Sequence, residues 1–381
     1  MRGLLMFLGC AAVVAADLNQ FALQKVLQAS AEVFGDASES SFSNGDGNPL
    51  PYANWMSTIP DSTPLAHLNI PGAHDAATWN YTAAVQDSLA YATRCDGVTP
   101  LPPQTYRTQR RSAAAALDAG IRFFDLRFAF DPADAQLVFW HGPALLSVTA
   151  AVEDVLFAYY DWLARHPSEA VLLSFQYEGG TKEGASFDDK AQRALVRALT
   201  GEAARAYVRQ DRGTLGTLGE SRGKIVLLRR FDVDEQYEDV LPGLHLSPAQ
   251  WPDNEKSGFA LVYNETTNAT AFVEDYYEPA DLAANSTVAE NVQAKMDAVR
   301  THLHKAANAT ADECGWGHNA NDPPVFPQTM ALGNGSEVTP DGGVNHELAK
   351  VLSGMQGSRL GVVVLDFFDE PEDLVGLVIG S

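Results

Sequence analysis

The chain has 381 residues, of which 46% are hydrophobic and 20% are charged, so its composition is that of a folded globular protein. The formal net charge of −23 argues against a basic face for nucleic acid, and we expect no nucleic-acid partner. The same acidity means that an anionic membrane would not attract the protein electrostatically.

The first sixteen residues have the pattern of a secretory signal peptide. Arg2 gives a basic start, and the apolar run from Leu4 to Ala16 ends in small residues. This run is too short to span a bilayer, and the alternative interpretation is a buried N-terminal helix. Removal of residues 1–16 would delete Arg2 and no acidic residue, which changes the net charge from −23 to −24. The pattern predicts a secreted, extracellular protein.

Two further features agree with secretion. Six sequons for N-glycosylation are present, at Asn80, Asn264, Asn268, Asn285, Asn308 and Asn334. Cys10 would leave with the signal peptide, so Cys95 and Cys314 remain as an even pair in an oxidising compartment. We predict that these two form a disulfide, and the alternative is two separate buried thiols.

The rest of the chain divides into a short lead-in and one large domain. Residues 17–50 include a Ser/Gly/Asp/Asn-rich segment and are predicted to be flexible, whereas 51–381 are predicted to form a single folded unit. Short apolar runs lie at 67–70, 121–128, 137–140, 170–175, 224–228 and 360–368. Helical periodicity is clearest over 148–165 and 288–305. This alternation predicts an α/β fold of parallel strands with crossover helices.

Polar side chains sit at or just after most of the predicted strands. They are His74, Asp75, Asp125, Arg127, His141, Gln176, Arg230 and Asp366. In a (β/α) barrel the carboxyl ends of the strands meet at one face, where the active site is built. The sequence therefore predicts that these residues converge.

Two histidines at one rim suit paired general base and general acid catalysis, because imidazole titrates near neutral pH. Asp75 and Asp366 are available to orient them, and Arg127 supplies a permanent charge suited to phosphate. Such a set fits in-line attack on a phosphodiester. The alternative is that each histidine is structural and that the Asp-x-Arg pair is an internal ion pair.

Other chemistries lack their signatures. The sequence contains no Gly-x-Ser-x-Gly nucleophile elbow, no Gly-rich phosphate loop and no His-Glu-x-x-His motif. His302 and His304 are two positions apart on a predicted helix, so they face different sides and make a poor metal pair.

The residues quoted above belong to segments that resemble the bacterial-type, metal-independent phosphatidylinositol-specific phospholipases C. The similarity runs from about Trp55 to near the C-terminus, and its order and spacing are specific. The matching segments are 59–65, 70–75, 124–127, 141–143, 223–230, 251–255 and 275–277. The resemblance implies a single distorted TIM-like (β/α) barrel over 51–381.

The resemblance also implies catalytic roles. His74 would be the general base for the inositol 2-hydroxyl, oriented by Asp366, and His141 the general acid, supported by Asp75. Arg127 would stabilise the transition state, with Asp125 in the same cluster. The products would be inositol 1,2-cyclic phosphate and diacylglycerol.

Substrate contacts follow from the same resemblance. Arg230 and Asp275 would hydrogen-bond inositol hydroxyls, and Tyr277 would stack on the ring. Gln176 stands where the bacterial enzymes carry a lysine, which leaves the headgroup preference open because the charge is lost. A second departure is an insertion over about 87–108, which contains Cys95 and lies where the relatives have a membrane-facing helix.

We expect no metal and no other cofactor. Calcium-dependent relatives carry an Asn after the first catalytic histidine and acids at the end of the second strand, and this chain has Asp75 and Arg127 instead. A fixed cation at that place leaves little room for a metal ion. The expected partner is phosphatidylinositol in membranes or micelles, contacted peripherally by a monomer. The alternatives are a phosphodiesterase for another headgroup, such as a glycosylated inositol lipid or glycerophosphoinositol, and a non-catalytic inositol-lipid-binding glycoprotein.

Overall fold

The computed structural model describes residues 3–36, 51–95, 99–179, 187–279, 286–309, 314–317, 326–333 and 342–380. The side chains of 3–17, 51, 94–95 and 314–317 are outside this description. The predicted Cys95–Cys314 disulfide and the sequons at Asn285 and Asn334 therefore lie outside the described residues or side chains, and they stay predictions.

The described part of the chain alternates strands and helices. Its strands are β1 (Ile70–Ala73), β2 (Phe123–Phe130), β3 (Leu137–His141), β4 (Ala144–Leu145), β5 (Ala170–Tyr177), β6 (Lys224–Arg230), β7 (Leu244–His245), β8 (Phe259–Asn264), β9 (Ala269–Glu274), β10 (Cys314–Gly317) and β11 (Val362–Leu365). Its helices are α1 (Gly3–Phe34), α2 (Ala83–Cys95), α3 (Ala113–Asp118), α4 (Val152–Arg165), α5 (Asp189–Thr200), α6 (Glu202–Tyr207), α7 (Leu218–Ser221), α8 (Glu235–Glu238), α9 (Val288–Ala307), α10 (Pro327–Leu332), α11 (Val344–Ser353) and α12 (Leu374–Ile379).

All eleven strands of the described residues belong to one sheet. Nine of them follow the order β7-β6-β5-β2-β1-β11-β10-β9-β8, and β3 and β4 lie off this path. Neighbours from β7 to β9 pair in parallel, and β8 pairs antiparallel with β9. The two end strands, β7 and β8, also approach each other. The first strand thus lies beside the last, as in a barrel, and the predicted mixed α/β architecture is confirmed.

Side chains alternate between the two faces of this sheet. One set of buried residues packs together on the inner face, including Ile70, Phe123, Leu172, Val226 and Val362. The residues that alternate with them pack outward against the helices. The inner apolar set ends where the polar side chains at the carboxyl ends of the strands begin, so the core forms the floor of the candidate site.

The two helices with the clearest periodicity form as predicted, with terminal residues that suit helix ends. α4 buries Val152, Leu156 and Leu163 on one face and carries acidic residues in its first turn, where they face the positive end of the helix dipole. α9 begins with a capping box, because the side chains of Thr287 and Glu290 bond each other's backbone N–H groups.

Two predicted strands differ in the structure. His67 ends a short 3₁₀ turn, Leu65–His67, and the strand begins only at Ile70. β3 is not a parallel barrel strand, because it pairs antiparallel with β2, with Phe128 opposite Phe139. Only 131–136 separate β2 from β3, which is enough for a hairpin and too short for a crossover to a parallel strand.

The predicted flexible lead-in, 17–50, contains a packed helix in its first half. The indole Nε1 of Trp79 donates to the carbonyl of Val33 at 2.9 Å, and the Phe34 ring contacts Tyr159 edge to face at 4.9 Å between centroids. These contacts hold the end of α1, at Val33 and Phe34, against the domain. Within the described residues, no helix combines the length and apolar character needed to cross a bilayer.

Candidate active site

The register of the first and last strands brings His74 and Asp366 together. β1 and β11 pair in parallel with Ala73 opposite Leu365, so the next residue of each strand emerges at the same level. The imidazole Nδ1 of His74 lies 2.8 Å from Oδ1 of Asp366, and both side chains are almost fully buried. Because the carboxylate accepts the Nδ1 proton, the Nε2 atom of His74 keeps its lone pair in the neutral ring.

Arg127 lies on the other side of this imidazole. Its Nη2 is 2.8 Å from Nε2 of His74, and its Nε is 3.2 Å from Oδ2 of Asp125. Asp125 and Arg127 are inside β2 rather than after it, and they share its inner face because they are two positions apart. A fixed cation therefore lies directly beside the candidate base.

His141 is the second imidazole of the site. Its ring centre is 6.1 Å from that of His74, and the two rings are nearly perpendicular, at 79°. Its Nδ1 lies 3.0 Å from Oδ2 of Asp75 and 2.8 Å from the carbonyl oxygen of Tyr106. Both acceptors hold the proton on Nδ1, so Nε2 is the atom that can deliver a proton.

Charge around the site shifts two pKa values upward. Burial alone would lower the pKa of His141, but the adjacent Asp75 carboxylate outweighs it and raises that pKa, so the ring favours its charged form. Burial would also lower the pKa of Arg127, and Asp125, Asp75 and Glu178 raise it well above its ordinary value. Arg127 is therefore a permanent cation here.

Each of the three central side chains precedes a residue with a left-handed backbone. Asp75 follows His74 with φ of 36°, Gly142 follows His141 with φ of 51°, and Phe367 follows Asp366 with φ of 47°. This conformation is rare outside glycine and turns the chain sharply away from the strand direction. The turns leave His74, His141 and Asp366 pointing into the site.

A second group of residues lies beside the histidines, on β6 and the loop after β9. The guanidinium of Arg230 stacks on the Trp251 ring, 3.8 Å from its centroid, and the Trp251 Nε1 donates to Asp275 Oδ2 at 2.7 Å. Arg230 Nη1 also lies 3.6 Å from Asp125. Burial lowers the pKa of Arg230, although Asp125 and Asp275 oppose that effect. Trp251 thus connects the two predicted inositol ligands.

Gln176 occupies the position between the two arginines. The parallel registers place it opposite Arg127 on β2 and opposite Arg230 on β6. It lines a pocket of about 380 Å³ together with Arg230, Trp251, and apolar residues of the neighbouring loops. The amide has hydrogen-bonding capacity at this place and no charge.

Tyr277 is half-buried, and its hydroxyl donates to a carboxylate oxygen of Asp253. The structure therefore brings the predicted catalytic residues together and places Arg230, Gln176 and Asp275 beside them. Tyr277 follows Asp275 by two positions in the chain, and its hydroxyl bonds Asp253.

Three residues of the site were not predicted from sequence. Glu178 Oε1 lies 3.3 Å from Arg127 Nη1, Trp251 joins Arg230 to Asp275, and the Tyr106 carbonyl faces His141. Glu178 is two positions after Gln176, and that same-face spacing could have indicated it. A backbone carbonyl such as that of Tyr106 leaves no signal in a sequence.

The described sequons and the aromatic residues near the insertion differ in their surroundings. Asn264 Nδ2 donates to the carbonyl of Gly213 at 2.8 Å, whereas Asn268 is exposed in the β8–β9 turn. Tyr81 is buried, whereas Tyr91 is 62% exposed. Asn80 is half-buried beside the first turn of the site, and Asn308 is exposed at the end of α9.

Among the described residues, no three His, Cys, Asp or Glu side chains converge as a group that could hold a metal ion. Two carboxylates near the histidines also lie near guanidinium groups, Asp75 near Arg127 and Asp125 near both Arg127 and Arg230. A barrel rim with two carboxylate-oriented histidines and an adjacent arginine holds the groups that general acid–base chemistry on a phosphate ester requires.

Comparisons with known proteins show which family the chain resembles. The model of the phosphatidylinositol-specific phospholipase C X domain matches residues 103–231, which include Arg127, His141 and Arg230. PI-PLC X domain-containing protein 1 of Homo sapiens is 29% identical over 231 residues, covering 56% of this chain and 67% of that protein. The 1-phosphatidylinositol phosphodiesterase of Listeria monocytogenes is 30% identical over 181 residues, covering 48% of this chain and 50% of that protein. Residues 103–231 thus match the X domain of the phosphatidylinositol-specific phospholipases C, and the chain is similar to that family.

Solved structures show the same fold. A phosphatidylinositol-specific phospholipase C from Staphylococcus aureus superposes with a TM-score of 0.62 at 20% identity, covering 86% of this chain and 96% of that one. The Listeria monocytogenes enzyme gives a TM-score of 0.56 at 19% identity, covering 87% and 98%. The predicted distorted TIM-like barrel is confirmed.

Proposed function

We propose that this protein is a metal-independent phosphodiesterase that cleaves phosphatidylinositol to inositol 1,2-cyclic phosphate and diacylglycerol. One observation carries the proposal: His74 lies between the Asp366 carboxylate and the Arg127 guanidinium, 6.1 Å from a second imidazole on Asp75. Base, acid and fixed cation are thus assembled in one cluster, as in-line attack on a phosphodiester requires.

The chemistry divides between the two rings. His74 Nε2 takes the proton of the inositol 2-hydroxyl, and that oxygen attacks phosphorus, forming the new P–O bond of the cyclic phosphate. His141 gives its proton to the diacylglycerol oxygen as the bond from phosphorus to that oxygen breaks. The Asp75 carboxylate raises the pKa of His141 and so favours the protonated ring, which a general acid requires.

Arg127 has a double role in this scheme. In the free protein its Nη2 donates a hydrogen bond to the lone pair of His74 Nε2. When the substrate hydroxyl takes that position, the guanidinium is left facing the phosphoryl oxygens, where it offsets the charge that develops in the transition state. The absence of a metal requirement is proposed on the same ground, since a divalent cation would have to share Asp125 and Asp75 with this guanidinium.

Gln176 favours a second candidate function, cleavage of the same phosphodiester with another headgroup. The residue lines the pocket that Arg230 and Trp251 share, and it has no charge where the family resemblance implies a lysine. A glycosylated inositol lipid or glycerophosphoinositol is then the substrate. Secretion, glycosylation and a monomeric state belong to the proposal as the sequence predicts them.

The test is phosphorus NMR of phosphatidylinositol micelles incubated with the protein in excess chelator. A cyclic phosphodiester signal is expected from the native chain, and none from His74→Ala. Turnover only after calcium is added would overturn the role given to Arg127. Product from glycosylated inositol lipid but not from phosphatidylinositol would establish the second candidate. Binding without any product would show a non-catalytic lipid-binding protein.

A further inference from the structure

Gln109 lies beneath the catalytic turns and belongs to none of the roles described so far. Gln109 is almost fully buried, with an exposed fraction of 1%. Its Nε2 is 2.9 Å from the carbonyl oxygen of His74 and 2.7 Å from that of Leu365. Leu365 is the residue before Asp366, so one amide group contacts both strand ends that carry the base and its carboxylate.

The two contacts define the orientation of this amide. Both neighbours are carbonyl oxygens, which only accept, so the nitrogen must face them, and a primary amide has two protons to give. Gln109 Oε1 has no hydrogen-bond partner among the described residues. Burying this unpaired acceptor costs free energy. The two hydrogen bonds that the Gln109 amide donates offset that cost.

The neighbours of Gln109 hold the same turns. Thr108 Oγ1 donates to the carbonyl of His74 at 2.9 Å, and the Phe367 N–H donates to the carbonyl of Thr108 at 2.8 Å. Arg110 Nε donates to Asp369 Oδ2 at 2.8 Å. Residues 108–110 therefore attach to the turn after β1 on one side and to the turn after β11 on the other.

We propose that Gln109 is a positioning residue, which sets the distance between His74 and Asp366 by bonding to both strand ends. The expected effect of Gln109 on turnover rests on the proposed function, whereas its effect on the distance does not. Strand pairing fixes Ala73 opposite Leu365, but the residues after them leave the sheet in left-handed turns. The Gln109 amide bridges the two strand ends where regular pairing stops. It acts together with the His74 N–H, which donates to the Leu365 carbonyl at 3.1 Å, and with the Thr108 contacts. A displacement of about 1 Å in a catalytic group can cost about 100-fold in rate.

Gln109→Met tests the bridge, because methionine matches glutamine in length and shape and lacks its donors. We expect kcat for phosphatidylinositol micelles to fall about 10- to 100-fold with KM unchanged within about twofold. The Nδ1 proton of His74, observed by proton NMR, should move upfield as its bond to Asp366 lengthens. The matched control is Asn291→Leu, which removes a buried amide on α9 that bonds Ser286 and Thr287, and it should leave that resonance in place.

A kcat within about threefold of the native value together with an unmoved resonance would overturn the proposal. If the native chain turns over no phosphatidylinositol, the resonance decides alone: a shift in Gln109→Met supports the bridge although the proposed function has failed. If Gln109→Met does not fold, Gln109→Asn takes its place with the same expected shift. Failure of both variants to fold would assign Gln109 to folding and overturn the positioning role.

Discussion

The bond between His74 and Asp366 should contribute more to turnover than any other single carboxylate contact of the site. In Asp366→Asn, the 2.8 Å charge-assisted hydrogen bond becomes a neutral one, and the ring loses the charge that stabilises its protonated form. Hydrogen bonds to charged groups contribute about 1.5–3 kcal/mol. If the activation free energy rises by this amount, kcat falls about 10- to 160-fold.

The assay is the rate of cyclic phosphate release followed by phosphorus NMR at saturating substrate. Asp161→Asn is the control, because this carboxylate bonds Arg165 on α4, away from the site. Thermal unfolding of both variants separates a local effect from a loss of fold. Asp366→Asn with native kcat would refute the assignment of His74 as the base.

Three further predictions concern His141, Trp251 and Lys295. The carboxylate of Asp75 raises the pKa of His141, and a general acid is active when protonated, so Asp75→Asn should move the high-pH limb of the kcat/KM profile to lower pH; an unmoved limb would contradict the assignment. Trp251→Phe removes the bond to Asp275 and should raise KM about 10-fold with little change in kcat, as initial rates would show. Lys295→Met leaves the buried Glu274 carboxylate unpaired and should lower the free energy of unfolding in urea by about 3–5 kcal/mol, whereas the double variant with Glu274→Gln should recover most of it.

Much of the barrel could be predicted because its signals are local. Ala170–Tyr177 and Lys224–Arg230 are buried strands that read as continuous apolar runs, and α4 shows its buried stripe in the sequence. β8 and β9 were missed because their hairpin is only partly buried and its alternation is broken by a bulge near Val262.

The site was predictable to the extent that its side chains are chemically distinctive. His74, His141 and Arg127 carry charge and hydrogen-bonding groups at strand ends, and a barrel brings such residues together whatever the details of its loops. Gln109 and the Tyr106 carbonyl could not be found in this way. Their roles depend on where the chain returns after the α2 region, and that path is fixed by packing between distant segments.

The pairing of the first and last barrel strands has a consequence for biogenesis. His74 and its carboxylate partner are 292 positions apart in the chain, and the β1–β11 pairing brings them to the same end of the sheet. The base is therefore incomplete in any folding intermediate in which β11 has not yet docked. Such a chain would hold an unoriented imidazole, so turnover would begin only once the sheet has closed on its final strand, and catalytic activity can serve as a reporter of complete assembly.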